Sequence, residues 1–411
     1  MTKWEFLPNP GQEEEGLGHA GIETFKGSRY PSLARECSQN SLDAPANQSA
    51  IVLLHFRRHL LPGEQIPDLM SLKKTLEACL KQAKEFDRSK DESFFQRALQ
   101  VASQQEIPVL SVEDFGTTGL VGPALPGNPF FALVKSSGVS QKPMDDAGGS
   151  FGIGKNAVFA VSDLRTVFYS TLYKSSKGEN RRLAQGKSIL VSHGSGGDAK
   201  RATGYWGSNG FNPVESDQEI PEWLRRTDVG TTVASIGFTE ESDWHWKMVE
   251  SLIRNFFAAI MKEAIQFIVQ RSEQEIIEID KSTLPGLFLR QEVQSAAEIA
   301  GTADELKFSA DMLSALSSPE TTAREKEFKD VGTFRLRILQ MKGLQRKVGI
   351  LRNGMYIVDN LRPFGHALAR FPLSKDFVAV LEPVDSKTSG VLRDLESPKR
   401  AYPVVTQTNY R

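Results

Sequence analysis

A chain of 411 residues exceeds one ordinary domain, so two or three are expected. Its 50 basic and 51 acidic side chains leave a net charge of −1, which excludes a global electrostatic pull toward nucleic acid or membrane. Only two cysteines, Cys37 and Cys79, and no apolar run of spanning length exclude a disulfide scaffold and a membrane helix; with no signal-like start, the expected location is cytoplasmic.

Residues 1–30 read as a polar, glycine-rich arm. A helix is expected over 31–44, where Pro31 suits a first turn and Leu33, Cys37 and Leu42 share a side. The apolar run 51–56 has strand length, and 71–104 carries helical periodicity through Leu72, Leu76, Cys79, Leu80 and Ala83, with a second helix over 94–101. A buried strand is expected over 107–112. Residues 116–149 are rich in Gly, Pro and Ser, with little regular pattern apart from Phe130 to Val134, and a loop of that length within a compact domain is functional or mobile. Helix resumes over 156–161, followed by strands at 166–173, 188–192, 203–206 and 230–238. That order predicts an α+β sandwich with helices on one sheet face.

A long helix over 244–270, with Trp246, Val249, Leu252, Ile253, Phe256, Phe257 and Ile260 on its apolar side, is expected to open a second domain. Residues 297–328 look polar, either helical or loop-like. Strands are expected at 334–339, 348–351, 355–358 and 377–381, with Asn353-Gly354 as a hairpin turn. No internal repeat is present. The end at Tyr410-Arg411 closes no element, so the natural chain is expected to continue.

Three segments carry chemistry. In Arg35-Glu36-Cys37-Ser38-Gln39-Asn40-Ser41-Leu42-Asp43-Ala44, Glu36 and Asn40 lie one helical turn apart and project from the same side. A carboxylate and an amide so placed can hold a water and Mg²⁺ against a phosphate chain; a helix face turned to solvent has the same pattern. In Glu113-Asp114-Phe115-Gly116-Thr117-Thr118-Gly119, a carboxylate at a strand end precedes glycines. Asp114 can accept from an exocyclic amine, or the stretch is an Asp–Gly turn. Gly148-Gly149-Ser150-Phe151-Gly152-Ile153-Gly154-Lys155-Asn156 forms a phosphate cradle before a helix start. A P-loop is excluded because Asn156 replaces the Mg²⁺-binding hydroxyl residue, and a Rossmann turn because Lys142-Pro143-Met144-Asp145-Asp146-Ala147 is no buried strand.

In that order, E-x-x-x-N-x-x-D-A, D-x-G and G-x-x-G-x-G resemble the ATP-site boxes of the gyrase B, heat-shock chaperone, histidine kinase and MutL (GHKL) superfamily, and Val229-Gly230-Thr231-Thr232-Val233 resembles its Gly-Thr strand. The likeness covers about residues 20–240. It implies a Bergerat-type two-layer α/β sandwich over 31–240, with 68–104 a helical insertion and 116–149 an ATP lid, followed by a transducer-like α/β domain over 241–411. By this resemblance Glu36 is the general base, Asn40 the Mg²⁺ ligand and Asp114 the adenine reader, sharing a water with Thr231. The expected nucleotide set is Asn40, Asp43, Asp114, Gly116, Gly119, Gly149, Phe151, Gly152, Ile153, Gly154, Lys155 and Thr231. An extra residue in the second box leaves the role of Gly119 open, and Lys155 either neutralises phosphate or faces solvent.

Between 331 and 358, Arg335, Arg337, Lys342, Arg346, Lys347 and Arg352 occur with no Asp or Glu. Lys347, with Arg346 beside it, is the expected γ-phosphate sensor and is grouped with Glu36 as catalytic. The same stretch is open to two other readings, a solvated basic hairpin or a surface for a nucleic-acid backbone. His193, His245 and His366 stand apart without metal-ligand spacing. No histidine-bearing helix precedes the ATP boxes, so the phosphate is expected to go to water. The resemblance implies an ATPase switch working through lid closure, a nucleotide-dependent homodimer or a partner protein, within a prokaryotic defence (antiviral) or DNA-processing module. The alternatives are a chaperone-like or scaffolding protein with little turnover, and a DNA-stimulated ATPase.

Overall fold

The computed structural model describes residues 2–136, 154–195, 197–359, 371 and 374–395. The chain opens on β1 (Lys3–Pro8), in which buried Trp4 and Phe6 alternate with Lys3 and Glu5, and a short α1 (Ala20–Glu23). In α2 (Arg29–Leu42), Pro31 occupies the first turn, where backbone N–H groups have no helical acceptor. Next come β2 (Val52–Pro62), α3 (Leu69–Glu85), α4 (Ser89–Ala102), β3 (Glu106–Phe115) and α5 (Pro129–Val134). A 3-10 turn at Gly154–Asn156 leads into α6 (Ala157–Ala160), then β4 (Ser162–Lys174), β5 (Asn180–Ile189), β6 (His193–Ser195), β7 (Asp198–Gly207) and β8 (Gly230–Phe238). The chain continues through α7 (Trp244–Met261), β9 (Ile265–Gln270), β10 (Ile276–Ile279), α8 (Leu284–Leu289), α9 (Gln291–Ala300) and α10 (Ala303–Ser317). It ends on β11 (Thr322–Phe328), β12 (Gly332–Gln340), β13 (Lys347–Arg352), β14 (Met355–Val358), β15 (Phe377–Pro383) and α11 (Ser386–Leu395).

Two mixed sheets result. The first has ten strands in the order β1-β7-β5-β4-β8-β3-β2-β9-β10, with β6 also on β7. Its pairs are antiparallel except β2 with β9. The second has five strands, β11-β12-β15-β13-β14, with β13 parallel to β15. Asn353 and Gly354 turn the β13–β14 hairpin with φ of +49° and +74°, as a two-residue primed turn requires.

Strand alternation puts two cores on opposite faces of the large sheet. Val52, Leu54, Phe56, Leu110, Val112, Val167 and Tyr169 join one cluster with α2, α6 and α7. Ile107, Val109, Leu164, Phe168, Ala234 and Ile236 join the other with Leu72, Leu76, Cys79 and Ala83 of α3 and Phe95, Ala98 and Ala102 of α4. α3 and α4 therefore cover the sheet face that α2 and α7 do not, so helices lie on both faces rather than on one as expected. The first cluster also runs on through Leu339, Leu351, Met355, Tyr356, Val378 and Val380, so one apolar core joins both sheets. At its centre α7 is buried almost all round, and its buried Glu250 is balanced by Arg254 at 2.5 Å.

Several expectations change. The N-terminal arm is not free: β1 pairs with β7 at the sheet edge. The long helix expected over 244–270 stops at Met261; Glu263 turns the chain with φ of +57°, and β9 follows. Because β9 and β10 extend the first sheet, the boundary expected at 241 does not divide the two sheets. A helix, α5, lies within the loop expected over 116–149, and residues 137–149 of that loop lie outside the described residues. Residues 297–328 divide into the end of α9, α10 and β11. Among the described residues no helix is long and apolar enough to cross a membrane.

Candidate nucleotide site

The site is built where α2 lies over the ends of β3 and β8. On those strands the alternation directs Asp114 and Thr231 to the α2 face, and Phe115 and Thr232 to the α3–α4 face. Asp114 Oδ1 accepts from Thr117 Oγ1 at 2.6 Å and from the Thr231 N–H at 2.7 Å, and its Oδ2 accepts from Ser41 Oγ at 3.1 Å. The carboxylate is thus fixed by its own turn, by the Gly-Thr strand and by α2. An ionised carboxylate has about four acceptor positions. Three are filled by donors here, which leaves capacity on Oδ2 for one donor from a ligand. Burial raises the Asp114 carboxyl above its ordinary range, and the Thr117 hydrogen bond, the Arg226 charge and the Thr231 N–H offset this only in part.

Glycines make this packing possible at two points. Gly230 has φ of +146°, and a Cβ there would lie 2.3 Å from Asp114 O, 2.6 Å from Arg226 Nη2 and 2.8 Å from Asp114 Oδ1. Gly119, at φ of +67°, would place a Cβ 2.7 Å from Leu172 O and 3.1 Å from Gly230 O. The next N–H, that of Leu120, donates to Thr171 Oγ1 at 2.9 Å, while Thr171 Oγ1 donates to Gly230 O at 3.1 Å. Gly119 is therefore packed against the Gly-Thr strand. Gly116, at φ of +72°, lies against Ile51, where a Cβ would fall 2.2 Å from Ile51 O.

The first and third boxes also meet. A Cβ on Gly154 would fall 1.8 Å from Glu36 Oε2, so the carboxylate rests directly on the backbone of the glycine box. Glu36 is half-buried, Asn40 one turn on is exposed, and Asp43 is buried at the α2 C-cap. Cys37, between them, packs against the first core; burial pushes its thiol up to about 12, with the Glu36 and Asp114 charges adding to the effect. Gly149, Phe151, Gly152 and Ile153 lie outside the described residues.

Lys155 is engaged within the chain. Its Nζ donates to Ala132 O at 3.0 Å and Ser136 O at 2.6 Å, at the C-terminal end of α5. Lys187 Nζ donates to Val134 O at 2.7 Å, and Lys135 Nζ to Phe211 O. Lys135 and Lys187 lie 5.5 and 5.8 Å from the Tyr205 ring centroid. Lys155 and Lys187 thus satisfy helix-end carbonyls. Burial pushes the Lys187 ammonium down to about 8, with the Lys155 charge adding to the effect.

Lys347, expected as a sensor, is in the second sheet, with Nζ 3.3 Å from Asp359 Oδ2 and 5.2 Å from the Phe308 ring centroid. Its neighbour Arg346 pairs with Asp376 at 2.8 Å. Arg337 and Arg335 both reach the buried Glu382, which also holds Lys262 at 2.7 Å. Four of the six basic residues of that stretch, Arg335, Arg337, Arg346 and Lys347, therefore meet carboxylates from outside its own window. His193 packs edge-on to Phe6, His245 lies 2.9 Å from Glu275, and His366 is outside the described residues. Among the described residues no group of three or more His, Cys, Asp or Glu is placed to hold a metal.

Arg226 is the residue that motif reading missed. Its Nη2 donates to Asp114 O at 2.6 Å, and its Nη1 to Thr231 O at 3.0 Å and Thr232 Oγ1 at 2.9 Å. Its Nε donates to Asp228 O at 3.2 Å, and the guanidinium lies 4.8 Å from the Phe115 ring centroid. Nothing in Leu224-Arg225-Arg226-Thr227 separates Arg226 from Arg225, which is exposed. Its proximity to the Gly-Thr strand was the available signal.

No family model matches the chain, and no curated protein matches it in sequence. Among solved structures it is similar to the 43K ATPase domain of Thermus thermophilus gyrase B, crystallised with an aminocoumarin: 13% identity over 86% of this chain and 75% of that one, with a TM-score of 0.33. It is also similar to the gyrase B-subunit of Myxococcus xanthus, at 10% identity over 70% and 78% of the two chains and a TM-score of 0.31. The ATPase and transducer domains of topoisomerase II from Balamuthia mandrillaris match at 8% identity over 94% and 82%, with a TM-score of 0.35. Likeness at that level carries no chemistry with it; the function of the site rests on its own residues.

Proposed function

We propose that this chain binds ATP with Mg²⁺ and hydrolyses it, with Glu36 as the general base. The observation that carries this reading is the double engagement of one helix. From α2, Glu36 rests on the glycine box at Gly154 while Ser41 reaches the Asp114 carboxylate, so a single element aligns a candidate base with a candidate base-reading group. The bare backbone of Gly154 beneath Glu36 suits a phosphate chain, because any side chain there would occupy the place of the carboxylate. Asn40, exposed one turn further along the same helix, would hold Mg²⁺, which when bound supplies charge neutralisation to the phosphates.

In this reading Asp114 accepts from the adenine amino group and Glu36 takes the proton of the attacking water. Glu36→Gln is expected to keep nucleotide affinity and to lose about 10²–10⁴-fold in phosphate release, the usual contribution of a carboxylate base. Phosphate release at the parental rate, with nucleotide still bound, would show that Glu36 is not the base and would favour a binding protein with little turnover. We further propose that binding on α2 is passed to the second sheet through α7, and that it drives homodimerisation. Sedimentation with a non-cleavable ATP analogue tests this; a monomer at saturating nucleotide refutes the dimer. The carboxylate partners of Arg335, Arg337, Arg346 and Lys347 weigh against duplex DNA as a stimulator.

A further inference from the structure

We propose that Arg226 sets the base specificity of the nucleotide site: from behind the sheet it anchors the two strand ends that carry Asp114 and Thr231, so that the Asp114 carboxylate presents an acceptor and selects a base that offers an amino group. This inference rests on the reading of Asp114 as the group that meets the base.

The geometry divides the work between the two faces of the sheet. Asp114 and Thr231 lie on the α2 face, while Arg226 stacks on Phe115 and binds Thr232 Oγ1 on the opposite face. It crosses between them by taking the backbone carbonyls of Asp114 and Thr231, one from each strand. Arg226 thereby fixes the spacing of the strand ends that carry the carboxylate and the N–H holding it. Gly230 is the opening through the sheet. Arg226 Nη2 and Asp114 Oδ1 both lie within 3 Å of the position its Cβ would occupy, at 2.6 and 2.8 Å, so only a residue without a side chain lets cation and anion approach here.

The consequence for recognition follows from donor and acceptor roles. Thr117, Thr231 and Ser41 all donate to the carboxylate, and what remains on Oδ2 accepts. Adenine offers an exocyclic amine to such an acceptor. Guanine and hypoxanthine offer a carbonyl at the same position, which would leave two acceptors facing each other without a proton. A buried site built to hydrogen-bond a ligand N–H discriminates strongly against an analogue lacking it. Without the nearby guanidinium, a buried carboxyl takes up a proton more readily and can donate to a carbonyl. The arginine is thus a positioning residue, and its effect lies in the ratio of affinities for two nucleotides.

The test measures ATP and GTP affinities by calorimetry for the parent, Arg226→Gln, Arg226→Lys, Thr232→Val and Asp114→Asn, with thermal melting recorded separately. In Arg226→Gln the preference for ATP over GTP is expected to fall at least tenfold. Arg226→Lys, which keeps the charge, should hold the ratio nearer the parent. Equal weakening of both nucleotides in Arg226→Gln, with the ratio intact, would mean a purely structural role and overturn the proposal. Should Arg226→Gln fail to fold, Thr232→Val decides, because it removes one anchor of the guanidinium on the face away from the nucleotide. A lowered ratio supports the proposal and an unchanged ratio overturns it. Asp114→Asn separates the two levels: parental ATP binding there defeats the reading of the site itself, whereas loss of ATP binding with an unaltered ratio in Arg226→Gln defeats only the role of Arg226.

Discussion

Lys187 is a cation held where a cation is disfavoured. Its Nζ caps Val134 O above the Tyr205 ring, and burial lowers its affinity for a proton to a pKa of about 8, against 10.5 when exposed. A folded-state value below the unfolded one means that the unfolded chain binds more protons between those limits, so stability rises with pH through that window. The thiols of Cys37 and Cys79, raised to about 12 from 9, act in the opposite direction above pH 9. The Lys187 contribution is therefore best isolated at pH 8–9. Urea unfolding of the parent is expected to gain stability over that interval relative to Lys187→Met, in which the slope is smaller. The carbonyl left unpaired in the variant adds a pH-independent offset, so the slope is the readout. Parallel pH profiles for the two proteins would contradict the assignment.

Elements with a strong period were legible from the chain itself. Leu72, Leu76, Cys79 and Ala83 mark one face of α3, and Asn353-Gly354 marks the β13–β14 turn. The segments of Glu36, Asp114 and Gly154, singled out by their order, meet at α2 through the Glu36–Gly154 and Ser41–Asp114 contacts. What was hidden had a physical cause in each case. β9 follows α7 after a left-handed Glu263, with no glycine or proline to punctuate the change of period from helix to strand. Trp4 and Phe6 do alternate, but the glycine- and glutamate-rich residues after them mask a six-residue strand. The partners of the basic stretch, Glu325, Asp359, Asp376 and Glu382, all lie outside the window in which its charge was counted. At this scale the β13–β14 turn makes a testable joint. Gly354 O accepts from the Ala259 N–H at 3.1 Å, and a Cβ on Gly354 would lie 2.7 Å from Ala259 Cβ. Gly354→Ala is expected to cost about 1–3 kcal/mol by overpacking against α7, measured by urea unfolding. ATP affinity should be retained, since α2 meets α7 near Ser251, roughly 12 Å along the helix at 1.5 Å per residue. A parental unfolding midpoint would mean that the hairpin does not dock there.

For the whole molecule, the separation of the two cores is the governing feature. The core beneath α3 and α4 shares the large sheet with the proposed nucleotide site but lies on its other face. Leu76→Ala empties a fully buried position in that second core and is expected to cost about 2–5 kcal/mol. The KM for ATP should stay at its parental value, because the cavity opens away from α2. A raised KM without loss of stability would contradict the two-face arrangement.

The parallel pairing of β2 with β9 sets an order on synthesis. Val52 pairs with Ile265, so a nascent chain that has released every residue through Thr231 from the ribosome still carries β2 as a bare edge. Until β9 emerges, that edge can recruit other strands, and a fragment cut after the last box would inherit the same exposed border permanently.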